Sequence, residues 1–370
     1  MTTTTVGVEE EFLLVDSVTR RTVPRAGVVL SRVGELPPGA KVDPELFGTQ
    51  VEFASGVCTD LDDLRGQLAA GRRALVDAAG AEGALVVPSG TPVLADPAPP
   101  LAAGERFRRI SDIYGGQVAD YQCCGCHVHV GVPDRDTAVA VVNHLRPWLP
   151  TLLALSVNSP FAHDRDTGFG SWRMVDQSRF PGSGVPPRFG SADEHDAAVD
   201  LLVDCGVLVD AGMTFWLARP SPRYPTVEVR VADTAATVEE AVLQAGLTRA
   251  LVDRALADLA AGREAPELDD RVLAAAVWSA SRYGVDGPGV DPWRGGRVPA
   301  VDLARSLVEH VAGALPGALS KALDGALENA LAEGSGARRQ RRAAVRGPVA
   351  VVDMLARACI APPGSGNPPP

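Results

Sequence analysis

Three consecutive glutamates interrupt an apolar run near the N-terminus. Glu9, Glu10 and Glu11 lie within Val6–Val15, whose other residues are valine, leucine, phenylalanine and glycine. The apolar flanks predict a strand, and because side chains alternate across a strand, Glu9 and Glu11 share one face while Glu10 lies on the other. Two carboxylates side by side repel each other and lose hydration unless a cation or a raised pKa neutralises them. The run therefore favours a metal-binding strand over a solvated sheet face, where acidic pairs usually lie.

Three further segments alternate in the same way. Residues 48–54 place Gln50 and Glu52 opposite Val51 and Phe53, residues 125–132 place two histidines opposite Cys126 and two valines, and residues 225–231 oppose a glutamate and an arginine to three valines. Each segment is predicted to be a strand with one apolar face and one face of potential ligands. Four such strands in one sheet would gather Glu9, Glu11, Glu52, His127, His129, Glu228 and Arg230 on a single face.

This residue set is typical of metal-assisted phosphoryl chemistry. Magnesium prefers carboxylate oxygen and is commonly shared with substrate phosphates. An arginine directed into the carboxylates indicates an anionic ligand as well, so we expect Arg230 and Glu228 to be catalytic. The alternative for Arg230 is an ion pair with Glu228 or Glu52. The residues predicted to bind the metal are Glu9, Glu11, Glu52, His129 and Glu228.

The two histidines could instead bind zinc or iron, with Cys123, Cys124 and Cys126 close by in the sequence. Alternation places Cys124 and Cys126 on the face opposite His127 and His129, so one ion could not readily take both sets. We therefore interpret Cys126 as a core residue. The histidines are interpreted as contacts to magnesium or to a nucleotide.

Composition narrows the class of protein. The chain has 370 residues, a net charge of −11 and a pI of about 5.1, which disfavours nucleic acid and anionic membranes as partners. The N-terminus lacks the layout of a signal peptide, and no apolar run is long enough to span a bilayer. Six unevenly spaced cysteines suggest no disulfide framework, so a cytoplasmic location is expected. No Gly-rich loop ends in Gly-Lys-Ser/Thr, which excludes a P-loop.

The order of patterns along the chain predicts an α+β fold. Strand-like segments and helices alternate first, and a helical block follows from residue 238 onward. We expect a single domain over residues 1–360 and a disordered proline-rich tail over residues 361–370. The predicted helices include Thr137–Leu155 and Asp193–Asp210.

Two irregular segments carry arginines that could meet phosphate. The Gly/Pro-rich segment Pro160–Pro187 contains four bulky aromatic residues and is interpreted as an ordered lid, in which Arg173 is a candidate ligand contact. Residues 334–342 carry Arg339 and Arg341, for which the alternative is a solvated helix start.

In order along the chain, these segments resemble the glutamate–cysteine ligase type 2 family, also called YbdK-like carboxylate–amine ligases. The resemblance rests on an ordered set of motifs that reaches from the first strand to about residue 358. The motifs are Val6–Phe12, Val51-Glu52, Pro88–Thr91, Cys126–Gly131, Ala154–Phe161, Val227–Asp233, Arg282–Asp286 and Arg339–Arg341.

The resemblance implies a fold similar to glutamine synthetase, with a curved antiparallel sheet and helices packed on its outer face. It also implies ATP and Mg²⁺ as cofactors and an acyl phosphate, formed on the γ-carboxylate of glutamate and attacked by cysteine or another amine. The substrates would be small molecules, with a homodimer as a candidate assembly. The residues expected to contact the nucleotide are His127, His129, Arg173, Arg339 and Arg341.

Two other functions stay open. A metal-dependent hydrolase would use His127 and His129 with the carboxylates, although in amidohydrolase barrels such a pair closes an early strand and further histidines follow on later strands. An inactive metal- or nucleotide-binding scaffold is the second, since one fold hosts many functions. The retained acids argue against a scaffold, because buried acids without metal destabilise a protein.

Overall fold

The strand that carries the three glutamates lies inside an antiparallel sheet. The computed structural model describes residues 4–313 and 317–361. The described strands are β1 (Val6–Asp16), β2 (Lys41–Pro44), β3 (Gln50–Ala54), β4 (Ala84–Val87), β5 (Gly125–Gly131), β6 (Phe161–Ala162), β7 (Arg165–Asp166), β8 (Ser183–Gly184), β9 (Phe215–Trp216), β10 (Ala218–Pro220), β11 (Thr226–Asp233), β12 (Pro288–Val290) and β13 (Arg297–Pro299).

Seven of these strands form the main sheet, in the order β10-β11-β5-β1-β3-β2, and β4 pairs with the second half of β1. Every pairing in this sheet is antiparallel. The short strands form three two-stranded pairs outside it: β6 with β7, β8 with β9, and β12 with β13. The predicted α+β fold with an antiparallel sheet is therefore confirmed.

Thirteen α-helices surround the sheet within the described part of the chain. Three short 3-10 turns, at Gly115–Gln117, Ala211–Met213 and Gly284–Asp286, link some of them. The α-helices are α1 (Ala26–Arg32), α2 (Leu61–Ala81), α3 (Glu105–Tyr114), α4 (Arg135–Leu145), α5 (Leu149–Ser156), α6 (Trp172–Gln177), α7 (Ala192–Asp204), α8 (Val238–Ala260), α9 (Asp270–Tyr283), α10 (Ala300–Ala312), α11 (Gly317–Glu333), α12 (Gly336–Ala344) and α13 (Pro348–Ala358).

The apolar face of the sheet packs on α2 and α8. Phe12 and Phe53 are fully buried there, together with the apolar stripe of α2. The approach of helix to sheet is close at Gly71, where an added Cβ would lie 2.2 Å from the ring of Phe53. Burial of this face accounts for much of the driving force that holds the sheet and helices together.

Glu10 points into this apolar layer, as alternation predicts, and is neutralised there. Its carboxylate accepts hydrogen bonds from the guanidinium of Arg72 in α2, with Arg72 Nε 3.0 Å from Glu10 Oε2. Both side chains are fully buried. A buried charge is tolerated when it is paired and hydrogen-bonded in this way.

The structure corrects several predicted element boundaries. The single helix expected over Thr137–Leu155 is two helices, α4 and α5, because Pro147 cannot continue a helix and restricts the residue before it. The helix expected over Asp193–Asp210 ends at Asp204, followed by Gly206 with φ of 72°. Strand β2 was not predicted, since it is short and ends in a proline. Residues 362–370 of the predicted tail lie outside the described residues.

The segment Pro160–Pro187 is ordered, as predicted. It contains β6, β7, α6 and β8, and Phe180 is buried in an aromatic cluster with Tyr114, Tyr121 and Phe215. Its closure over a ligand stays a prediction. Among the described residues, no helix is both long and apolar enough to cross a membrane.

Candidate functional site

The sheet brings the predicted ligand residues together through its strand register. Their pairing follows from the antiparallel alignment of β1 with β3 and β5, and of β5 with β11. The cross-strand partners are Glu9 with His127, Glu11 with Glu52, and Glu228 with His129. We call the surface formed by Glu9, Glu11, Glu52, His127, His129, Glu228 and Arg230 the polar face.

One group of potential metal ligands on the polar face is Glu9, His129 and Glu228. One ligand atom from each residue lies within 4.8 Å of the others. His129 Nε2 is 3.4 Å from Glu9 Oε1, while its Nδ1 is 3.0 Å from the hydroxyl of Thr226. A hydrogen bond at Nδ1 fixes the ring and leaves Nε2 free to face a cation.

A second group is Glu11, Glu45 and Glu52, again with one oxygen of each within 4.8 Å of the others. Glu45 was missed by the sequence reasoning. It lies in the connection that follows β2, outside any alternating pattern, and reaches the polar face because β2 pairs with β3. Its only sequence signal is an acid directly after Pro44.

The two groups differ in their electrostatics. Burial, followed by the charge of Glu11, raises the pKa of Glu45 to about 8. Burial and the charges of Glu45, Glu9 and Glu11 raise the pKa of Glu52 well above its ordinary value. Burial opposes the ionisation of Glu9 too, but hydrogen bonds with the two histidines hold its pKa well below the ordinary range. The second group therefore carries the larger unrelieved repulsion.

The donor set fits a divalent cation. His127 Nε2 and His129 Nε2 are buried atoms with no hydrogen-bond partner among the described residues. His127 Nε2 lies 3.7 Å from Glu11 Oε1, and His127 Nδ1 lies 3.4 Å from Glu9 Oε2. Unpaired imidazole nitrogens beside crowded carboxylates are the arrangement that a bound metal would satisfy.

Glu228 is held by two arginines. Arg219 in β10 forms a two-pronged contact, with Nε 2.9 Å and Nη2 3.2 Å from the two carboxylate oxygens, and Arg230 also pairs with Glu228. Burial would raise the pKa of Glu228, but the charges of Arg230 and Arg219 hold it well below the ordinary value. The ion pair considered as the alternative for Arg230 is present. However, the buried Nε of Arg230 has no partner within the described ranges, which leaves it donor capacity.

Arg173 reaches the edge of the polar face, with 3% of its side chain exposed. It lies beside His127 over the backbone of Gly125. A Cβ on Gly125 would be 2.5 Å from Arg173 Nη2 and 2.9 Å from His127 Nε2. A residue larger than glycine at position 125 would displace Arg173 or His127 from its place at the site.

Arg339 and Arg341, which were predicted to contact the nucleotide, lie away from the polar face, and that contact stays a prediction. Arg339 is buried and pairs with Glu240 of α8, and its Nη1 donates to the carbonyl of Gly334 at 2.7 Å. Arg341 grips Asp166 with two hydrogen bonds of 2.8 and 2.7 Å and borders a cavity of about 400 Å³. These partners lie in α8, in the loop before α12 and in the short strand β7, and not on the polar face.

The cysteines divide between two environments. Cys126 is fully buried in the apolar core, as predicted. The prediction that Cys124 shares that face is wrong, because β5 begins at Gly125 and alternation does not reach Cys124. Cys124 packs with Leu13, and its Sγ lies 3.5 Å from Gln50 Nε2, on the side of the sheet that carries Glu52.

Comparison with solved structures identifies the fold as that of the glutamate–cysteine ligases. The glutamate–cysteine ligase of Francisella tularensis, solved in complex with AMP, has a TM-score of 0.71 at 13% identity, over 98% of this chain and 90% of that chain. A bifunctional glutathione synthetase from Pasteurella multocida has a TM-score of 0.66 at 14% identity, over 96% of this chain and 52% of that chain.

The sequence places the chain within a family of this class. A profile of glutamate–cysteine ligase family 2 matches residues 5–352. A protein of Saccharopolyspora erythraea, provisionally named glutamate–cysteine ligase 2-2, is 55% identical over 96% of this chain and 92% of its own length. A protein of Salinispora arenicola, provisionally named glutamate–cysteine ligase 2, is 42% identical over 95% of this chain and 94% of its own length. The chain belongs to glutamate–cysteine ligase family 2, which confirms the resemblance noted in the sequence.

Proposed function

We propose that this protein is an ATP-dependent ligase that joins a carboxylate to an amine, with glutamate as the acid and cysteine or another small amine as the acceptor. The observation that carries the proposal is the pair of ligand groups on one sheet face, one at Glu9 and one at Glu11, with Arg230 beside them. Family membership and the AMP-bound structural neighbour support ATP as the nucleotide.

The two groups suit Mg²⁺. Five carboxylates and a histidine present mainly oxygen donors, which magnesium prefers over the sulfur-rich sets typical of structural zinc. Magnesium, when bound, supplies positive charge that offsets the phosphate oxygens of ATP. The residues proposed to hold it are Glu9, His129 and Glu228 in one group, and Glu11, Glu45 and Glu52 in the other.

The proposed reaction has two chemical steps, and residues of the chain are assigned to the first. A carboxylate oxygen of glutamate attacks the γ-phosphorus of ATP, the bond to the β,γ-bridging oxygen breaks, and ADP leaves. Arg230 is proposed to donate to the phosphoryl oxygens as charge builds on them, while Glu228 and Arg219 hold its guanidinium in place. The amine then attacks the acyl carbon, the carbon–oxygen bond to phosphate breaks, and the amine loses a proton as the amide forms.

The other residues at the site have supporting roles in this proposal. His127 lies between Glu9 and Glu11 and is proposed to contact a nucleotide phosphate. Arg341 is proposed as a nucleotide contact because it borders the cavity of about 400 Å³. The ion pair of Arg339 with Glu240 favours a structural role for Arg339. A catalytic unit of residues 1–360, a homodimer and a cytoplasmic location stay predictions.

The proposal is tested by measuring ADP and phosphate release with ATP, Mg²⁺ and glutamate while a panel of amines that includes cysteine is varied. Amide formation that requires ATP and an amine supports the ligase, and Glu11→Gln should abolish it. Glu309→Gln removes an exposed carboxylate of α10 and serves as the matched control. Hydrolysis of an amide or ester without ATP would favour the metal-dependent hydrolase, and ATP binding without turnover on any amine would favour the inactive scaffold.

A further inference from the structure

Strand β11 is irregular at the position of Arg230. Val229 pairs with Val128 and Ala232 with Cys126, so Arg230 and Val231 together stand opposite the single residue His127. This is a β-bulge, in which two residues on one strand oppose one on its partner. A bulge interrupts the regular ladder and turns a side chain away from the direction that alternation would give it. The direction of the Arg230 side chain therefore depends on what fixes the bulge.

Arg173 supplies that constraint. Its Nη2 donates to the carbonyl of Arg230 at 3.1 Å and its Nη1 to the carbonyl of Val231 at 3.5 Å, so one guanidinium spans both residues of the bulge. The planar fork of arginine is suited to two acceptors at fixed spacing. On the other side of the bulge, the backbone N–H of Arg230 donates a hydrogen bond of 2.8 Å to the carbonyl of Leu217.

The position of Arg173 is set in turn by Asp233, which is fully buried at the end of β11. The carboxylate of Asp233 accepts hydrogen bonds from Ser171 Oγ at 2.8 Å, from Ser159 Oγ at 2.7 Å and from Asn158 N at 2.8 Å. Ser171 is the N-cap of α6, and Ser159 Oγ accepts from Arg173 N at 3.2 Å. Asp233 therefore fixes the first turn of the helix that carries Arg173.

We propose that Asp233 and Arg173 are positioning residues that hold the bulge of β11 and thereby aim the Arg230 guanidinium at the transferring phosphoryl group. The inference rests on the proposed ligase function for its kinetic consequences. It replaces the sequence-based expectation that Arg173 contacts the nucleotide, since the Nη1 and Nη2 groups of Arg173 donate to backbone carbonyls. Through Ser171, the same network ties the segment Pro160–Pro187 to the reacting centre.

The first test removes one hydroxyl of the network. Ser171→Ala should lower kcat roughly tenfold or more, because a small displacement of a group that acts in the transition state is costly, while KM for Mg-ATP stays near wild type. Ser171→Thr retains the hydroxyl and should recover most of the activity. Ser178→Ala removes an exposed hydroxyl from the C-cap residue of the same helix and serves as the matched control. A raised KM for Mg-ATP with unchanged kcat in Ser171→Ala would overturn the proposal.

The second test is a double-mutant cycle between Arg173→Lys and Arg230→Lys. If Arg173 acts through Arg230, replacing Arg173 has little further effect on kcat once Arg230 is altered. The kcat of the double variant should then be about that of Arg230→Lys alone. If the two losses multiply, or if Arg173→Lys weakens ADP binding measured by calorimetry, Arg173 contacts the ligand directly and the proposal fails.

A third measurement needs no turnover. Amide hydrogen exchange over Val229–Ala232 should be faster in Ser171→Ala than in Ser178→Ala, with the unfolding midpoints of both variants compared by circular dichroism. If Ser171→Ala does not fold, Ser159→Ala takes its place. Wild-type protein that forms no amide would sink the proposed function. If wild-type protein is active but Ser171→Ala has the same exchange rate and the same kcat as Ser178→Ala, only the positioning role is wrong.

Discussion

Glu11 and Glu52 stand directly opposite each other in β1 and β3, with their carboxylates on the same face of the sheet. Like charges at such cross-strand positions destabilise a sheet. The pKa of Glu52 is raised well above its ordinary value by burial and by the neighbouring acids. The pair therefore lowers the stability of the sheet unless a cation or a bound proton neutralises it.

Replacing Glu52 with glutamine should therefore stabilise the metal-free protein and also abolish the activity of the enzyme. The substitution removes repulsion with Glu11 and Glu45 while it deletes a proposed Mg²⁺ ligand. We expect an unfolding midpoint at or above that of wild type in EDTA, a smaller rise on adding Mg²⁺, and no ATP-dependent turnover. Substantial remaining turnover would remove Glu52 from the metal site.

Arg230→Lys should lower kcat far more than it changes Mg²⁺ affinity. Lysine keeps the charge but not the planar fork, and loss of one well-placed donor to a developing anion costs roughly 10²–10³ in rate. Steady-state kinetics with a Mg²⁺ titration separates the two effects. Normal turnover would leave Arg230 as the ion-pair partner of Glu228 only.

Arg72→Leu should destabilise the protein strongly without touching the polar face. The substitution leaves Glu10 buried and without its partner, which costs about 3–5 kcal/mol for a broken buried ion pair. Urea unfolding measures the loss. The double variant Glu10→Gln/Arg72→Leu should recover part of it, and no recovery would show that Arg72 acts through its carbonyl contacts to Ala235 and Cys359 instead.

Asp176→Asn should change stability in a pH-dependent way. Burial raises the pKa of Asp176 to about 6 from its ordinary value of 3.8. The folded state thus holds a proton that the unfolded state releases between these values, so wild-type stability from this group falls as pH rises from about 4 to about 6. The free energy of unfolding of the variant, relative to that of wild type, should therefore increase as pH rises from about 4 to about 6, and the difference should persist at higher pH. Urea unfolding at pH 4.5 and 7.5 measures this, and an equal difference at both would contradict it.

Proteolysis in the segment Pro160–Pro187 should slow when Mg-ATP and glutamate are present together. An acyl phosphate must be shielded from water, and the exposed turn at residues 163–164, between β6 and β7, is the expected cleavage site. Equal cleavage with and without ligands would argue that this segment does not close, although the ligase assignment would stand.

Alternation along β1, β3 and β5 was enough to predict the sheet and most of its polar face, because a two-residue period fixes which side chains share a face. Glu45 could not be predicted in this way, since its place depends on the pairing of β2 with β3. The ion pair of Arg339 could not be predicted either, because the sequence of its segment shows only that it is rich in arginine. Its partly buried partner, Glu240, lies far away in the sequence, and only the packing of α12 near α8 brings them together.

The order of the three glutamates also has a consequence for how the chain tolerates insertions and deletions. In the native alignment, Glu10 faces Arg72 and its two neighbours face the polar side. A shift of the triplet by one position against β3 and β5, whether from a deletion or from a slip during folding, would direct two carboxylates into the apolar layer and leave one on the polar face. Since Arg72 can neutralise only one of them, such a misaligned strand would be too unstable to persist. The acidic triplet thus disfavours every alignment of β1 that is shifted by one residue against its neighbours.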